Sequence, residues 1–210
     1  EISFKVDEGP QFKVGQVEIK GDLVLSREKL LSTLKISKEP FYSREVLQND
    51  VLSLTDLYSD EGYAYAEISP RLDKDAEKRL VNITFEIGKG SLVYFEEIII
   101  TGNTKTRDKV IRRQLKVYEQ ELYSGKNLKR GVRNLHRLDY FEDIKVNTAK
   151  GSGDDKMVLK LDVTEKPTGQ FSFGGGYSSI ENAFVMASVA QRNLFGLAGA
   201  VQQDGVIAHE

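Results

Sequence analysis

Alternating apolar and polar positions open two stretches of this chain, and each stretch ends at a glycine. The first reads FKVGQVEIKG from Phe12 to Gly21, and the second reads VYFEEIIITG from Val93 to Gly102. A period of two places every second side chain on the same face, which predicts β-strands. Further strands are predicted over Ala64–Pro70, Leu80–Ile87, Ile144–Thr148 and Met157–Val163.

Helical periodicity follows each of these glycines. Apolar residues after Ser43 and after Ser124 recur in steps of three, four and seven, which places them on one stripe of a long amphipathic helix. A shorter helix is predicted before each long one. Ser26 and Thr106 are its expected N-caps, because their hydroxyls can accept a hydrogen bond from the first turn.

The two segments are copies of one another. An offset of 81 residues carries Gly21 onto Gly102 and continues through both helices, and the offset becomes 76 over the closing strands. Self-similarity of this kind indicates a repeat architecture in which each copy is one structural unit. The order within each unit is strand, helix, helix, strand, strand.

The repeat also predicts how the chain is divided. Ile2, Phe4 and Val6 align with the last strand of the unit, so the chain is expected to begin within a further upstream copy. The expected divisions are the final strand of that copy at 1–10, repeat units at 11–88 and 92–166, and a tail of different character at 167–210.

The predicted fold class is α+β, built from tandem β-α-α-β-β modules. Two helices with one apolar stripe each can cover one face of a three-stranded mixed sheet. The last strand of each unit alternates strictly and is expected in the middle of its sheet. Pro70 cannot donate a ladder hydrogen bond, so its strand is expected at an edge.

The composition changes after Pro167, where charges become rare. Phe171 and Phe173 alternate with small residues, which indicates antiparallel strands of a membrane barrel, and Ser178–Asn182 is the expected hairpin turn. A bacterial barrel needs at least about eight strands, so the tail is expected to hold only the opening strands of an incomplete barrel. The final stretch VQQDGVIAHE does not read as a long strand.

Composition and charge argue against several classes of function. The net charge is −2 with both signs interspersed, so nucleic acid is not an expected partner. The absence of cysteine excludes disulfides, thiolate catalysis and cysteine-ligated zinc. No arrangement of histidines, carboxylates or nucleophiles suggests a metal, a cofactor or an active site. We therefore expect a binding protein and not an enzyme.

Three stretches carry a family resemblance: VYFEEIIITGNTKTRDKVIRRQL, LHRLDYFEDIKV and VTEKPTGQFSFGGGYSS. The repeats resemble polypeptide-transport-associated (POTRA) domains, and the passage into the tail is similar to that in the BamA family of outer-membrane protein assembly factors. The resemblance implies a barrel in the outer membrane of a Gram-negative bacterium, with the POTRA string in the periplasm. It also implies two kinds of partner, unfolded outer-membrane protein precursors and accessory lipoproteins. A TamA-like protein or a two-partner secretion transporter is the alternative.

The edge strands are the candidate polypeptide-binding site. Precursors of many sequences share only their backbone N–H and C=O groups, and a free sheet edge offers partners for these groups in register. The alternative is that the edges are merely exposed and are protected from aggregation by their charges. The candidate residues are Tyr65, Ala66, Glu67, Ile68, Arg71, Ile144, Lys145, Val146 and Asn147.

A second candidate surface lies on and after the first helix of the second unit. Arg112 belongs to a basic run there, which is either a solvated face or an electrostatic contact with a partner. Glu119 ends the stretch RRQLKVYE and matches an acidic position where the last POTRA domain of the family meets an accessory lipoprotein. The resemblance therefore implies that Glu119 is a partner contact.

Overall fold

A computed structural model describes residues 10–178, 182–194, 196 and 199–208. The strand expected at Ile2, Phe4 and Val6 and the centre of the turn expected at Ser178–Asn182 lie outside the described residues. The chain forms two compact units, Glu1–Val93 with Leu122–Lys126, and Tyr94–Glu121 with Asn127–Glu210. The divisions expected at 1–10, 11–88, 92–166 and 167–210 stay a prediction.

The element order repeats, as the sequence predicted. The elements of the first repeat are β1 (Lys13–Gly21), α1 (Arg27–Thr33), a 3-10 turn (Ile36–Lys38), α2 (Arg44–Asp60), β2 (Glu67–Asp75) and β3 (Leu80–Gly88). Those of the second repeat are β4 (Tyr94–Thr101), α3 (Asp108–Leu115), α4 (Gly125–Arg137), β5 (Phe141–Lys150) and β6 (Lys156–Glu165). The tail forms β7 (Gly169–Ser178), β8 (Asn182–Leu194) and β9 (Gly199–Ala208). None of the helices in the described ranges is long and apolar enough to cross a membrane.

Each repeat forms its own three-stranded mixed sheet, which confirms the predicted fold class. The order is β1-β3-β2 in sheet A and β4-β6-β5 in sheet B. The last strand of each repeat, β3 or β6, is central. It is parallel to the first strand of its repeat (β1 or β4) and antiparallel to the second (β2 or β5). The strands β2 and β5 therefore each form one edge, as expected for the strand that holds Pro70.

The edge strand β2 is shifted relative to its prediction. It begins at Glu67 and runs to Asp75, because a turn closed by the Ala66 N–H and the Tyr63 carbonyl (3.2 Å) precedes it. Pro70 consequently lies within the strand, opposite Phe85, and not at its end. An edge strand tolerates this because its backbone groups need partners on one side only.

The central strands place the core where alternation predicted it. Every second residue of β3 is buried, and β6 repeats the pattern with Met157, Leu159, Leu161 and Val163. The helices close over these side chains, and Leu54 of α2 and Leu135 of α4 are fully buried. Each such side chain contributes about 1.5–3 kcal/mol through removal of its apolar surface from water.

The two predicted N-caps have different outcomes. The Ser26 hydroxyl accepts a hydrogen bond from the Lys29 N–H (3.4 Å), as predicted. The prediction for Thr106 was wrong, because α3 begins one residue later, with Arg107 at the N-cap position and no side-chain cap. Thr106 is buried, and its N–H donates to a carboxylate oxygen of Glu165 (2.6 Å).

The two repeats differ at the point where the second helix of each repeat packs against the end of its first helix. In the first repeat the buried carboxylate of Asp50 accepts hydrogen bonds from the N–H groups of Lys35 (2.9 Å) and Ile36 (2.8 Å). The offset of 81 places Gly131 at this position in the second repeat. A Cβ on Gly131 would overlap the Leu115 carbonyl, so α3 and α4 pack there in direct backbone contact.

The tail forms an antiparallel sheet, sheet C, in the order β7-β8-β9. The expectation that the final stretch would not be a long strand was wrong. Residues Gly199–Ala208 form β9, which pairs with β8 along its length. Backbone pairing with an existing strand does not require alternating side chains, so the sequence pattern underestimated this segment.

Substitution Gly131→Ala is expected to destabilise the protein by about 1–3 kcal/mol, because the added methyl group must push α3 away from α4. The measurement is the urea midpoint of unfolding followed by circular dichroism. The control is Gly88→Ala at the exposed end of β3, where a Cβ meets no atom within 4 Å. Equal midpoints for the two variants would contradict the close packing at Gly131.

Candidate functional site

The edge strand β2 presents most of its length to solvent. Ile68 is its one buried side chain, whereas Glu67 and Arg71 are exposed. Tyr65 and Ala66 precede the strand, and Tyr65 is 45% exposed. The predicted residues therefore include the beginning of β2 and the turn before it, but the strand continues to Asp75.

The edge strand β5 has the same character. Ile144 is buried and Val146 is half-buried, while Lys145 and Asn147 are exposed. The pairing with β6 has a register shift between Phe141 and Asp143, at the start of the strand. All four predicted residues thus lie on an edge strand that is longer at both ends than the predicted Ile144–Thr148.

Charged side chains lie on both edge strands, β2 and β5. Arg71 pairs across the strands with Glu86 (3.4 Å), and Lys145 lies 3.6 Å from the carboxylate of Asp143. These pairs are exposed and contribute little stability. They are also the residues that discourage unwanted strand pairing, so strand binding and edge protection both remain consistent with the geometry.

The opposite edge of sheet B, along β4, is occupied. The Phe95 N–H donates to the Glu121 carbonyl (3.0 Å), and the Gln120 N–H donates to the Phe95 carbonyl (2.5 Å). Further along, the Ile98 N–H donates to Glu119 (3.1 Å), and the Ile98 carbonyl accepts from Arg112 (2.7 Å). These bonds fill the pairing positions of Phe95 and Ile98 that an incoming strand would need.

Arg112 and Glu119 form one network at this edge. Their side chains are 3.1 Å apart, and Arg112 also donates to Asp108 (2.6 Å). The bond from the Ile98 N–H and then the Arg112 guanidinium lower the pKa of Glu119 below its ordinary value. Glu119 therefore has an internal role that sequence reasoning missed, although its side chain stays 44% exposed.

The sequences of the two repeats differ at the positions of this network, and that difference could have revealed it. The offset of 81 places Leu31 opposite Arg112 and Lys38 opposite Glu119 in the first repeat. Leucine and lysine cannot supply the complementary donor and acceptor that hold Ile98. The Arg112–Glu119 pair is therefore a feature of the second repeat and not of the module in general.

Sequence reasoning also missed the contact between sheet C and the second repeat. The buried amide of Asn193 donates to the Thr106 hydroxyl (2.7 Å), and the Arg107 N–H donates to the Gly196 carbonyl (3.2 Å). Gly196 has a φ of +68°, and a Cβ there would overlap the Lys105 carbonyl. The end of β8 is thus fixed to the loop that begins α3.

Two carboxylates support this contact. Glu165 accepts hydrogen bonds from the Thr104 hydroxyl and from the Lys105 and Thr106 N–H groups (2.6–2.8 Å). Burial alone would raise the pKa of Glu165, but these hydrogen bonds outweigh it and the pKa is lowered. Asp139 pairs with Lys166 (2.5 Å) and with Arg192 of β8 (3.5 Å), and its pKa is likewise lowered, mainly by Lys166.

The part of the chain that the structure describes contains no cluster of metal-binding side chains. No three or more His, Asp or Glu side chains there are grouped so that they could hold a metal ion. The candidate site consists of exposed strand edges and paired surface charges.

Each repeat is thus a small module in which two helices accompany a three-stranded mixed sheet with an exposed edge strand. The family described as "POTRA: Surface antigen variable number repeat" matches residues 12–90 and 93–166. The chain therefore belongs to the POTRA family, and the match falls on the two copies found by self-comparison.

The relatives of the chain are assembly factors. It is 34% identical to "Outer membrane protein assembly factor BamA" of Nitratidesulfovibrio vulgaris and 32% identical to the protein of that name from Neisseria meningitidis serogroup B. Each match covers 93% of this chain and 25% of the relative. The chain thus spans about a quarter of the length of these relatives.

Solved structures support the same fold. BamA from Haemophilus ducreyi lacking POTRA domains 1–3 matches with a TM-score of 0.79 and 22% identity, over 94% of this chain and 37% of that one. POTRA domains 3–5 of BamA from Haemophilus influenzae match with a TM-score of 0.68 and 22% identity, over 75% and 63%. The first match extends the likeness beyond the two repeats into sheet C.

Substitution Glu165→Gln is expected to lower the free energy of unfolding at neutral pH by about 1–2 kcal/mol, because the amide keeps one acceptor oxygen and turns its NH2 group toward a donor that the second carboxylate oxygen had accepted. The folded-state pKa lies below the unfolded-state value. The stabilisation is therefore complete above the unfolded-state pKa and is lost as the pH falls through the folded-state pKa. Urea unfolding at several pH values measures this.

The control for this prediction is Glu142→Gln on β5, where the exposed carboxylate has no hydrogen bond among the described residues. The wild type and the Glu165→Gln variant should converge in acid, while the control follows the wild type throughout. A constant difference between wild type and Glu165→Gln at every pH would refute the assigned role of the charge.

Proposed function

We propose that this chain is the periplasmic receptor and scaffold segment of an outer-membrane β-barrel assembly and insertion factor. The supporting observation is the order of its parts: two POTRA repeats with open edge strands, followed three residues after β6 by an antiparallel sheet. BamA of Haemophilus ducreyi shares this architecture, and the BamA relatives match over nearly the whole chain. In this proposal sheet C is the start of a barrel in the outer membrane of a Gram-negative bacterium.

The edge strands act by adding a strand from an unfolded outer-membrane protein precursor. The precursor supplies backbone N–H and C=O groups whatever its sequence, and β2 or β5 supplies the partners. In the second repeat the closed edge at β4 directs such pairing to β5. Binding by this route is weak, because ordering an extended chain costs about 1–2 kcal/mol per residue in conformational entropy.

The side chains of the edges set a modest preference. Ile68 and Ile144 face the core and cannot contact a client, whereas the exposed Tyr65 and Asn147 lie beside an added strand. The charges of Glu67, Arg71 and Lys145 keep the free edge from pairing with another copy of itself. Receptor and edge protection are then two properties of one surface.

The proposal involves binding alone, with neither catalysis nor a cofactor, and with no nucleic acid partner. Accessory lipoproteins of the assembly machinery are its second class of partner, and they dock at Glu119. A TamA-like or two-partner secretion transporter is the alternative, but the relatives that match over 93% of this chain are BamA proteins.

The test of edge binding uses the absence of cysteine from the chain. A photocrosslinker attached through Ser69→Cys on β2 or Asn147→Cys on β5 is expected to capture peptides that correspond to barrel strands. The matched control is Gln48→Cys, which is exposed on α2. Mass spectrometry locates the crosslinks, and preferential capture from Gln48→Cys would show that the helices, not the edges, receive the client.

The test of lipoprotein docking separates the charge of Glu119 from its structural role. Both Glu119→Lys and Arg112→Ala break the network at Ile98, but only the first reverses the exposed acidic charge. Pull-down from an outer-membrane extract is expected to lose the lipoprotein with Glu119→Lys and to retain it with Arg112→Ala. Circular dichroism should show both variants folded. Equal loss from both would assign the effect to the network, and Glu119 would not be a docking residue.

A further inference from the structure

One face of sheet C carries exposed apolar side chains. Phe171 and Phe173 of β7 are 70% and 72% exposed, and Val189 of β8, opposite Phe171, is 54% exposed. The intervening positions of β7 hold Gln170 and Ser172, which point to the other face. A contiguous apolar face next to a polar one is the pattern of a sheet that enters a membrane.

Five cations belong to the segments that meet at the end of sheet C nearest the second repeat. Arg192 is part of β8, and Lys166 lies three residues before β7. Lys105 and Arg107 belong to the loop that contacts Gly196. Arg137 ends α4, two residues before the Asp139 that pairs with Lys166 and Arg192. We name this group the collar: Lys105, Arg107, Arg137, Lys166 and Arg192.

The carboxylates that touch this region do not neutralise the collar. The charge of Glu165 is directed inward and held by the Thr104 hydroxyl and two backbone N–H groups. Asp139 is shared between Lys166 and Arg192. Two carboxylates therefore stand against five cations. Among the described residues, the side chains of Lys105, Arg107 and Arg137 are exposed and have no ion pair.

The position of the collar points to its ligand. It lies at the end of the strands that begin the apolar face, and Phe171 follows Gly169, the first residue of β7, by only two residues. Cations at such a boundary meet the phosphate groups of lipids, and long Lys and Arg side chains reach them from the membrane surface. An acidic protein would need no such alignment with the start of the apolar face.

We infer that the collar binds anionic phospholipid headgroups and so sets the depth and orientation of the second repeat at the membrane surface. The inference rests on the proposed function, because it requires sheet C to enter the membrane. The contacts from Thr106 to Asn193 and from Arg107 to Gly196 hold the collar cations of the α3 loop against β8. Headgroup binding thereby fixes the repeat and the first strands together.

The experiment compares two triple variants of the whole chain bound to vesicles. The test variant is Lys105→Ala with Arg107→Ala and Arg137→Ala. The control is Lys29→Ala with Lys38→Ala and Arg44→Ala, three exposed cations of the first repeat. Both variants change the net charge equally and leave every named backbone bond in place. The vesicles contain phosphatidylcholine alone or phosphatidylcholine with phosphatidylglycerol.

Each cation near an anionic surface changes the partition constant by about five-fold, so the three together are expected to contribute on the order of a hundred-fold. The wild type and the control should bind phosphatidylglycerol vesicles more tightly than neutral ones, and added salt should remove the difference. The collar variant should lack this preference. Equal loss in both variants, or no loss in the collar variant, would overturn the inference. An absence of any preference in the wild type would also overturn it and would favour an acidic protein as the ligand.

A second readout separates this inference from the proposed function. A fluorophore attached through Phe173→Cys reports contact with lipid chains when the vesicles carry a quencher in their acyl chains. Quenching in neutral vesicles without a phosphatidylglycerol preference would refute the collar and leave the membrane sheet standing. The lack of quenching in every vesicle would instead refute the placement of sheet C in a membrane, and the inference with it.

Discussion

A single strand in the middle of each sheet is the constraint on which the repeats depend. The strands β3 and β6 are hydrogen-bonded on both sides, and their inward side chains form the centre of the core. Two helices can cover only one face of three strands, so each module is small and its sheet ends after one strand on either side. Open edges therefore result from the size of the module, and in the proposed function they are the surfaces that bind extended polypeptide.

The two repeats build this module with different local chemistry. A buried carboxylate at Asp50 binds the N–H groups of Lys35 and Ile36, whereas the matching Gly131 removes the side chain and lets two helices touch. Arg112 and Glu119 close part of the β4 edge, and the matching residues of the first repeat cannot. The repeats thus share a fold but differ in the side chains that bond to the edge of the first strand.

The junction with sheet C adds, among the described residues, contacts that the first repeat does not share. The α3 loop of the second repeat is held by Glu165 from one side and by Asn193 from the other. Thr106 takes part in both contacts through its N–H and its hydroxyl, which is why it is buried and does not cap the helix. These contacts hold the second repeat directly against the first strands of sheet C.

The sequence by itself determined the repeat, the order of elements, the central strands and the edge strand of Pro70. These features follow from side-chain periodicity and from the missing N–H of proline, which act locally. Only the tertiary structure decided the bounds of β2, the strand at Gly199–Ala208, the role of Thr106 and the network of Arg112 and Glu119. The role of Thr106 and the network at Ile98 depend on hydrogen bonds between residues distant in the chain, such as Thr106 with Asn193. No local pattern of hydrophobic and polar residues records which distant donor will meet which acceptor.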